Sequence, residues 1–301
     1  DALRALQHPN TQSPPTPVGG SWPSECVQLN KELTHQCLDE LEILLKQHNN
    51  EIAGIVIEPI MQGAAGMVSQ PPGFLRGVAD LAKKYNTLLI ADEVATGFGR
   101  TAKMFACEHE NVTPGILCLG KGLTGAYQPL AATLCTDAIA SAFEGDLEER
   151  RTLYHGHTFC GNPLACAAAI ASIELFEKNN LLEHIWRSTA LVSKRLDALR
   201  DPRDFAHIVD VRQRGLMIGI ELDPVRPRSL RWDPSAPASA APADDYGSPL
   251  GAALCDAMRQ QGLIIRPLGN VLVLMPVLAI KHDTLNRMLD IVIDTLRNWR
   301  F

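Results

Sequence analysis

The chain has 301 residues, of which 46% are hydrophobic and 21% are charged, and its formal net charge at pH 7 is -6. This composition is typical of a globular protein that is long enough for two domains. The mild acidity and the lack of a basic stripe argue against a nucleic-acid-binding surface. No apolar run approaches the roughly 18 residues that a membrane-spanning helix needs.

The cysteine pattern argues against disulfides and zinc. The chain has eight scattered cysteines without C-x-x-C spacing, several of them inside apolar runs: Cys26, Cys37, Cys107, Cys118, Cys135, Cys160, Cys166 and Cys255. Such residues are typical of small buried side chains in a reducing compartment, which favours a cytoplasmic location. His155 and His157 have no third ligand at convincing spacing, so we expect no metal site.

Strand and helix patterns alternate through the first part of the chain. Residues 1 to about 35 are rich in Pro, Ser, Thr and Asn, and predict a loop. The elements predicted after this loop are a helix over 37–47, a strand over 52–57, a helix over 74–85, strands near 88, near 116 and over 130–134, and a helix over 165–176. The alternation predicts an α/β fold with a three-layer, mostly parallel sheet that helices cover on both faces.

The last third of the chain has a different character. Its predicted elements are a helix over 181–199, a strand over 215–222, a helix over 250–260, short strands over 263–266 and 271–275, and a last helix capped by Asp283 or Thr284. We therefore predict a large domain over 1–180 and a smaller α+β domain over 181–301. Residues 224–249, dense in Pro, Ala, Ser and Asp, predict a flexible insertion.

A carboxylate and an amine directly follow two of the predicted strands. Asp92 ends one apolar run, and Lys121 follows the next run and opens a glycine-rich turn. Ligands of parallel sheets bind at the carboxyl ends of the strands. Pyridoxal phosphate chemistry needs an amine that forms a Schiff base and a carboxylate that keeps the pyridine nitrogen protonated. Either residue alone is more often an ordinary strand-end residue, so this prediction depends on the neighbouring segments.

Two of these segments suit the parts of such a cofactor. Val94 can face away from Glu93 and press on a flat ring. The loop YHGHTF at 154–159 leads into a predicted helix, and its hydroxyl and backbone N–H groups suit a phosphate.

Two arginines are candidates for binding a substrate carboxylate. Arg266 ends a predicted short strand of the small domain, where its guanidinium can hold a carboxylate in a bidentate grip. The alternative is a surface arginine paired with a nearby acid. Arg100 is a second candidate cation.

Together these segments resemble the class III aminotransferases, which share the fold type I architecture of pyridoxal phosphate enzymes. The resemblance covers most of the chain and is carried by DEVATGFGRT at 92–101, GKGLTG at 120–125 and IEPIMQG at 57–63. It implies pyridoxal 5'-phosphate as cofactor and a homodimer with shared active sites.

The resemblance also implies a role for individual residues. Lys121 would form the Schiff base, Asp92 would pair with the pyridine nitrogen, and Val94 would pack on one face of the ring. Glu58 and Gln62 would lie near the ring hydroxyl or the aspartate network. His157 and Thr158 would bind the cofactor, with Thr158 on the phosphate of the cofactor in the neighbouring subunit, and the residues beside the substrate would be Gly156, Arg266 and Arg100. For Glu58 an ordinary loop hydrogen bond is an equal alternative.

Three strings narrow the resemblance within the family: KMFACEHE at 103–110, LCLGKGLTG at 117–125 and RPLGNVLVLMP at 266–276. They are most similar to the enzymes that transfer an amino group from S-adenosylmethionine to 8-amino-7-oxononanoate in biotin biosynthesis. A 4-aminobutyrate-like ω-amino acid aminotransferase and a catalytically silent remnant are the alternatives.

The chain departs from the family pattern in two ways. Relatives commonly have a glycine where Ala126 stands and an aromatic residue where Val273 stands, and both positions lie near the substrate. Relatives also carry an N-terminal part with a Gly-Ser phosphate cup and an aromatic residue that stacks on the ring, which these residues lack. We therefore expect a piece of a longer protein.

Overall fold

The structure is a computed structural model that describes residues 24–201, 203–205, 207–222 and 249–299. These ranges contain ten strands: β1 (Gly54–Ile57), β2 (Met61–Gln62), β3 (Val68–Ser69), β4 (Leu88–Asp92), β5 (Ile116–Leu119), β6 (Ala132–Cys135), β7 (Ile208–Arg214), β8 (Met217–Leu222), β9 (Arg266–Leu268) and β10 (Val271–Leu274). The same ranges contain seven α-helices: α1 (Ser24–His48), α2 (Phe74–Lys84), α3 (Asp137–Ala140), α4 (Pro163–Lys178), α5 (Leu181–Leu196), α6 (Pro249–Gln260) and α7 (His282–Asn298).

The first sheet has the strand order β1-β4-β5-β6. β1, β4 and β5 run parallel, and β6 pairs with β5 in the antiparallel direction. The expectation of a mostly parallel sheet in an α/β fold is therefore confirmed, with one antiparallel edge strand. Because the parallel strands share a direction, the residues that follow β1, β4 and β5 all emerge at one edge of the sheet.

Helix α2 shows why the apolar spacing predicted a helix over 74–85. Its residues Leu75, Val78 and Ala82 recur every three or four positions and are all buried in the core. Gly73 precedes the helix with a left-handed φ of 86°. The Glu110 carboxylate accepts hydrogen bonds from the backbone N–H groups of Gly73 and Arg76, both at 2.7 Å, and so caps the helix from outside its own segment.

The second sheet is antiparallel throughout and has the order β7-β8-β10-β9. Its first strand, β7, was not predicted, although its charged residues Asp210, Arg212 and Arg214 recur at every second position, as on the exposed face of a half-buried strand. The structure accommodates these charges by pairing. Arg212 lies 3.0 Å from a carboxylate oxygen of Asp210 and also pairs with Glu221 of β8. The charged face of the strand therefore carries ion pairs, while Val211 on the other face is buried.

The two sheets share one core and meet at a tight turn. A single cluster of buried side chains includes Leu89 of β4 and Ile218 of β8. Between β7 and β8, Gly215 has a left-handed φ of 58°, and a Cβ atom there would lie 2.5–2.6 Å from backbone atoms of Arg100 and Thr101. Glycine thus allows the second sheet to approach the loop that follows β4.

Several predicted boundaries were wrong. The helix α1 begins at Ser24, 13 residues before the predicted start at residue 37. Residues 24–35 are therefore helical and do not form the predicted loop. α7 begins at His282, and Lys281 precedes it without a side-chain cap, so neither predicted capping residue is used.

The predicted insertion and the predicted domain division are not tested by the described residues. Residues 1–23 and 223–248, and with them most of the predicted insertion at 224–249, lie outside the described residues, whereas Pro249 begins α6. The domain division at residue 180 falls between α4 and α5 and stays a prediction. Within the described ranges, no helix combines the length and apolar character that crossing a membrane requires.

Candidate active site

The end of β4 and the end of β5 form the centre of the candidate site. In the parallel pairing Asp92 lies beside Cys118. The Glu93 N–H then donates to the Cys118 carbonyl oxygen at 3.0 Å, which continues the pairing past the strand end. Three residues after Cys118 comes Lys121. The structure therefore brings the predicted carboxylate and the predicted amine to the same edge of the sheet.

Lys121 is exposed at the first position of a 3₁₀ helix, Lys121–Thr124, and has a left-handed φ of 41°. A lysine rarely adopts this conformation, and such backbone strain is concentrated at functional sites. The turn is held in place from two sides. Ser172 of α4 donates to the Gly122 carbonyl oxygen at 3.3 Å, and a Cβ on Gly122 would lie 2.9 Å from the Cβ of Phe98. The amine is thus presented on a rigid turn.

Asp92 and Val94 lie on the same side of the strand end. The Asp92 carboxylate accepts a hydrogen bond through Oδ1 from the Val94 N–H at 3.0 Å. The Val94 side chain lies over the backbone before Lys121, since a Cβ on Gly120 would be 3.4 and 3.6 Å from its two γ-carbons. A carboxylate, an apolar branched side chain and an amine around one glycine-lined surface fit a flat, protonated heterocycle with an aldehyde.

Glu58 follows β1 at the same edge, but its contacts are local. Its Oε2 accepts a hydrogen bond from the Gly63 N–H at 3.0 Å, which is the loop hydrogen bond that was the alternative to a cofactor contact. Gln70, which sequence analysis missed, is buried. Its side-chain amide donates to the Glu58 carbonyl oxygen at 2.8 Å and accepts a hydrogen bond from the Ile60 N–H at 2.9 Å. Gln62 is exposed on β2. A cofactor contact for Glu58 and Gln62 stays a prediction.

The predicted phosphate loop is fully exposed. Gly156, His157 and Thr158 all face solvent, and the His157 ring accepts a hydrogen bond from the Phe159 N–H at 3.1 Å. The loop leads into α4, whose first N–H groups are capped by the Asn162 side chain. Among the described residues, the hydrogen bonds of this loop are to its own residues, and the prediction that it serves a neighbouring subunit stays a prediction.

The two candidate substrate arginines differ in environment. Arg266 is exposed at the first residue of β9, opposite Val273 of β10, so the prediction that it ends a strand over 263–266 was wrong. Residues 263–265 have no partner strand among the described residues, and pairing starts at Arg266. Arg100 donates to the Pro276 carbonyl oxygen at 2.6 Å, and burial lowers its pKa to about 10. A substrate contact for either arginine stays a prediction.

His109 is a partly buried neutral group close to the same loop. Its Nε2 lies 3.0 Å from the Thr101 carbonyl oxygen, and burial, with the nearby charge of Lys103, lowers its pKa to about 4. The folded protein therefore resists taking up a proton that the unfolded chain binds below a pKa of about 6.5. Stability from this residue is present at neutral pH and is lost as the pH falls from about 6.5 towards 4.

We expect wild-type protein to lose about 1–2 kcal/mol of unfolding free energy between about pH 7.5 and about pH 5 relative to a His109→Gln variant. Glutamine keeps a donor for the Thr101 carbonyl oxygen but does not titrate. Urea unfolding of both proteins at the two pH values measures the difference. Equal losses in the two proteins would show that His109 does not carry this pH dependence.

Comparison with known proteins decides the family. The profile described as Aminotransferase class-III matches residues 10–296. The chain belongs to the class-III aminotransferases.

Individual relatives support this membership. An adenosylmethionine-8-amino-7-oxononanoate aminotransferase from Geobacter sulfurreducens is 42% identical over 293 residues, which cover 96% of this chain and 60% of the relative. An omega-aminotransferase from Caulobacter vibrioides is 33% identical over 268 residues, which cover 89% of this chain and 56% of the relative.

Solved class-III aminotransferase relatives have the same architecture. The adenosylmethionine-8-amino-7-oxononanoate aminotransferase of Methanocaldococcus jannaschii superposes with a TM-score of 0.78 at 40% identity, over 88% of this chain and 58% of that structure. An amine transaminase from an uncultivated Pseudomonas species, solved in its PLP-bound internal aldimine form, gives a TM-score of 0.77 at 32% identity, over 89% and 57%. The chain spans 56–60% of the length of these four proteins.

Proposed function

We propose that this protein is a pyridoxal phosphate-dependent aminotransferase that makes 7,8-diaminononanoate from 8-amino-7-oxononanoate, with S-adenosylmethionine as amino donor, in biotin biosynthesis. The observation that carries the proposal is the arrangement of Asp92, Val94 and Lys121 at one edge of the first sheet. The names of the relatives from Geobacter sulfurreducens and Methanocaldococcus jannaschii support the choice of substrates.

Each residue of this group has a distinct task. When bound, pyridoxal phosphate supplies an electron sink for proton transfer at the amino-bearing carbon of the substrate. The Lys121 amine would hold the cofactor and would move the proton at that carbon of the substrate. The Asp92 carboxylate keeps the ring nitrogen protonated, and Val94 supports one face of the ring. Glu58, Gln62, His157 and Thr158 would complete the binding of the ring and its phosphate.

Arg266 would bind the substrate carboxylate from the second sheet. It is exposed at the start of β9, whereas the cofactor residues follow strands of the first sheet. A substrate that spans from one sheet to the other would place its reacting end near Lys121 and its remote carboxylate near Arg266. Gly156 and Arg100 would line the same path.

Arg266→Ala is expected to raise KM for 8-amino-7-oxononanoate and to leave cofactor binding nearly unchanged. A guanidinium–carboxylate pair contributes about 1.5–3 kcal/mol, which corresponds to a loss of roughly 10-fold to 100-fold in kcat/KM. Arg266→Lys should restore only part of the activity, because a point charge does not reproduce the planar fork. Steady-state kinetics and cofactor titration measure both effects.

Arg259→Ala is the matched control, since Arg259 is an exposed arginine of α6 that pairs with Asp256. It should behave like the wild type. Loss of cofactor with an unchanged KM in Arg266→Ala would place Arg266 in the cofactor site and contradict this orientation of the substrate.

A donor and acceptor assay tests the reaction itself. The proposal predicts transfer from S-adenosylmethionine to 8-amino-7-oxononanoate, with product identified by mass spectrometry. Transfer only from 4-aminobutyrate or another ω-amino acid would favour the second candidate, which the similarity to the Caulobacter vibrioides omega-aminotransferase supports. No transfer with any donor, and no bound cofactor, would indicate a silent remnant.

The assembly proposed is a homodimer in the cytoplasm. Large apolar side chains are exposed in the predicted phosphate loop, at Tyr154 (87%) and Phe159 (72%), and in the segments that precede it, at Tyr127 (86%) and Leu147 (91%). Such a set is typical of a protein–protein interface, and a second copy would cover it while completing the active site. The seven cysteines whose side chains the structure describes are free, which supports a reducing compartment.

A further inference from the structure

Glu93 is a buried carboxylate for which sequence analysis assigned no role. It lies directly after β4, between Asp92 and Val94, and its side chain has 0% exposure. Along an extended segment successive side chains point to opposite sides. Glu93 therefore points into the protein where its two neighbours point towards the candidate cofactor surface.

The structure satisfies both carboxylate oxygens of Glu93. Oε2 accepts hydrogen bonds from the Ala106 N–H at 2.6 Å and from the Thr96 hydroxyl at 3.2 Å. Oε1 accepts a hydrogen bond from the Cys107 N–H at 2.8 Å. Ala106 and Cys107 are the first residues of the 3₁₀ helix Ala106–Glu110, so the carboxylate caps that helix from the strand end.

Burial raises the pKa of Glu93, and the two N–H groups act in the opposite direction. A buried carboxylate is tolerated when donors surround it. The donors come from two separate elements: the turn after β4, which carries Thr96, and the 3₁₀ helix that begins at Ala106. The carboxylate thus joins the turn after β4 to a separate, buried element.

We propose that Glu93 is a positioning residue that fixes the orientation of Asp92 and Val94 towards the cofactor ring. The inference rests on the proposed function, because it gives Asp92 and Val94 the roles stated there. It extends that function by assigning the orientation of the ring to a residue that contacts neither cofactor nor substrate. The Gly97 N–H, which donates to the Glu93 carbonyl oxygen at 3.0 Å, closes the same turn from the backbone.

Glu93→Gln tests the proposal because the change is nearly isosteric. An amide has one acceptor oxygen, so its NH₂ group would face either the Ala106 or the Cys107 N–H. The turn must then shift, and the ring contacts shift with it. We expect the circular dichroism and absorbance bands of the bound cofactor to change, kcat to fall roughly 10-fold to 100-fold, and KM for both substrates to stay close to the wild type.

Glu110→Gln is the matched control. Glu110 is also a carboxylate that accepts two backbone N–H bonds at a helix start, but that helix is α2. The Glu110→Gln variant should have a lower urea midpoint, while its cofactor bands and kcat stay unchanged.

Thr96→Val is the second test, for the case that Glu93→Gln fails to fold. It removes only the hydroxyl donor and is expected to shift the cofactor bands in the same direction, with a smaller loss in kcat.

The possible outcomes separate the inference from the function on which it rests. The positioning role would be overturned if folded Glu93→Gln or Thr96→Val kept the cofactor bands and kcat of the wild type and lost only stability, as Glu110→Gln does. The proposed function would then remain intact. A wild-type protein of full native length that takes up no pyridoxal phosphate would overturn both.

Discussion

Replacing Lys121 by alanine is expected to remove turnover and covalent cofactor attachment together. Lys121 stands on a rigid, left-handed turn after β5, and a methyl group there can neither form the Schiff base nor move a proton. We expect turnover to fall by on the order of 10⁴-fold or more, as when other covalent nucleophiles are removed. Half-reaction kinetics and the visible absorbance of lysine-bound cofactor measure the two losses.

The control for this variant is Lys178→Ala. Lys178 is an exposed lysine in the last turn of α4, and its loss should change neither quantity. Turnover above the assay background in folded Lys121→Ala protein would mean that another group performs the central step, and Lys121 would lose its assigned role.

Asp92→Asn is expected to keep bound cofactor but to lose most activity. The amide has nearly the shape of the carboxylate and can still accept the Val94 N–H, so the turn after β4 should persist. It cannot hold a proton on the ring nitrogen, so the electron sink weakens. A charge-assisted hydrogen bond of a few kcal/mol is lost, which corresponds to roughly 10²-fold or more in kcat.

Cofactor content and kcat are measured on the same Asp92→Asn sample, with Asp137→Asn as the control. Asp137 is an exposed carboxylate in the first turn of α3 and lies away from the proposed site. Wild-type turnover in Asp92→Asn would show that the carboxylate does not face the ring.

The meeting of Asp92 and Lys121 at one edge of the first sheet could be predicted because it follows from strand ends. The apolar runs before Asp92 and Lys121 predicted two buried strands, and in parallel strands the carboxyl ends meet at one edge. Glu93 could not be assigned in the same way, because its partners at Ala106 and Cys107 are 13 and 14 residues away and only the folded loop brings them together. An acid between two residues that are predicted to face the ring is a signal that could have raised the question.

Predictions of the fold were wrong where tertiary contacts outweigh local pattern. Strand β7 was missed although its charged residues recur at every second position, and it forms because its backbone pairs with β8 and its Ile208 and Val211 side chains are buried. Arg266 was placed at the end of a strand because the apolar residues before it suggested one. Pairing with Val273 instead makes Arg266 the first residue of β9.

Borohydride reduction followed by peptide mapping tests the central claim most directly. Protein of full native length is incubated with pyridoxal phosphate, reduced, digested and analysed by mass spectrometry. The proposed function predicts one stoichiometric pyridoxyl modification, located on Lys121, and its loss when the amino donor S-adenosylmethionine is added without 8-amino-7-oxononanoate before reduction, because the cofactor then keeps the amino group and Lys121 is free. Modification of a different lysine, or no stoichiometric modification at all, would contradict it.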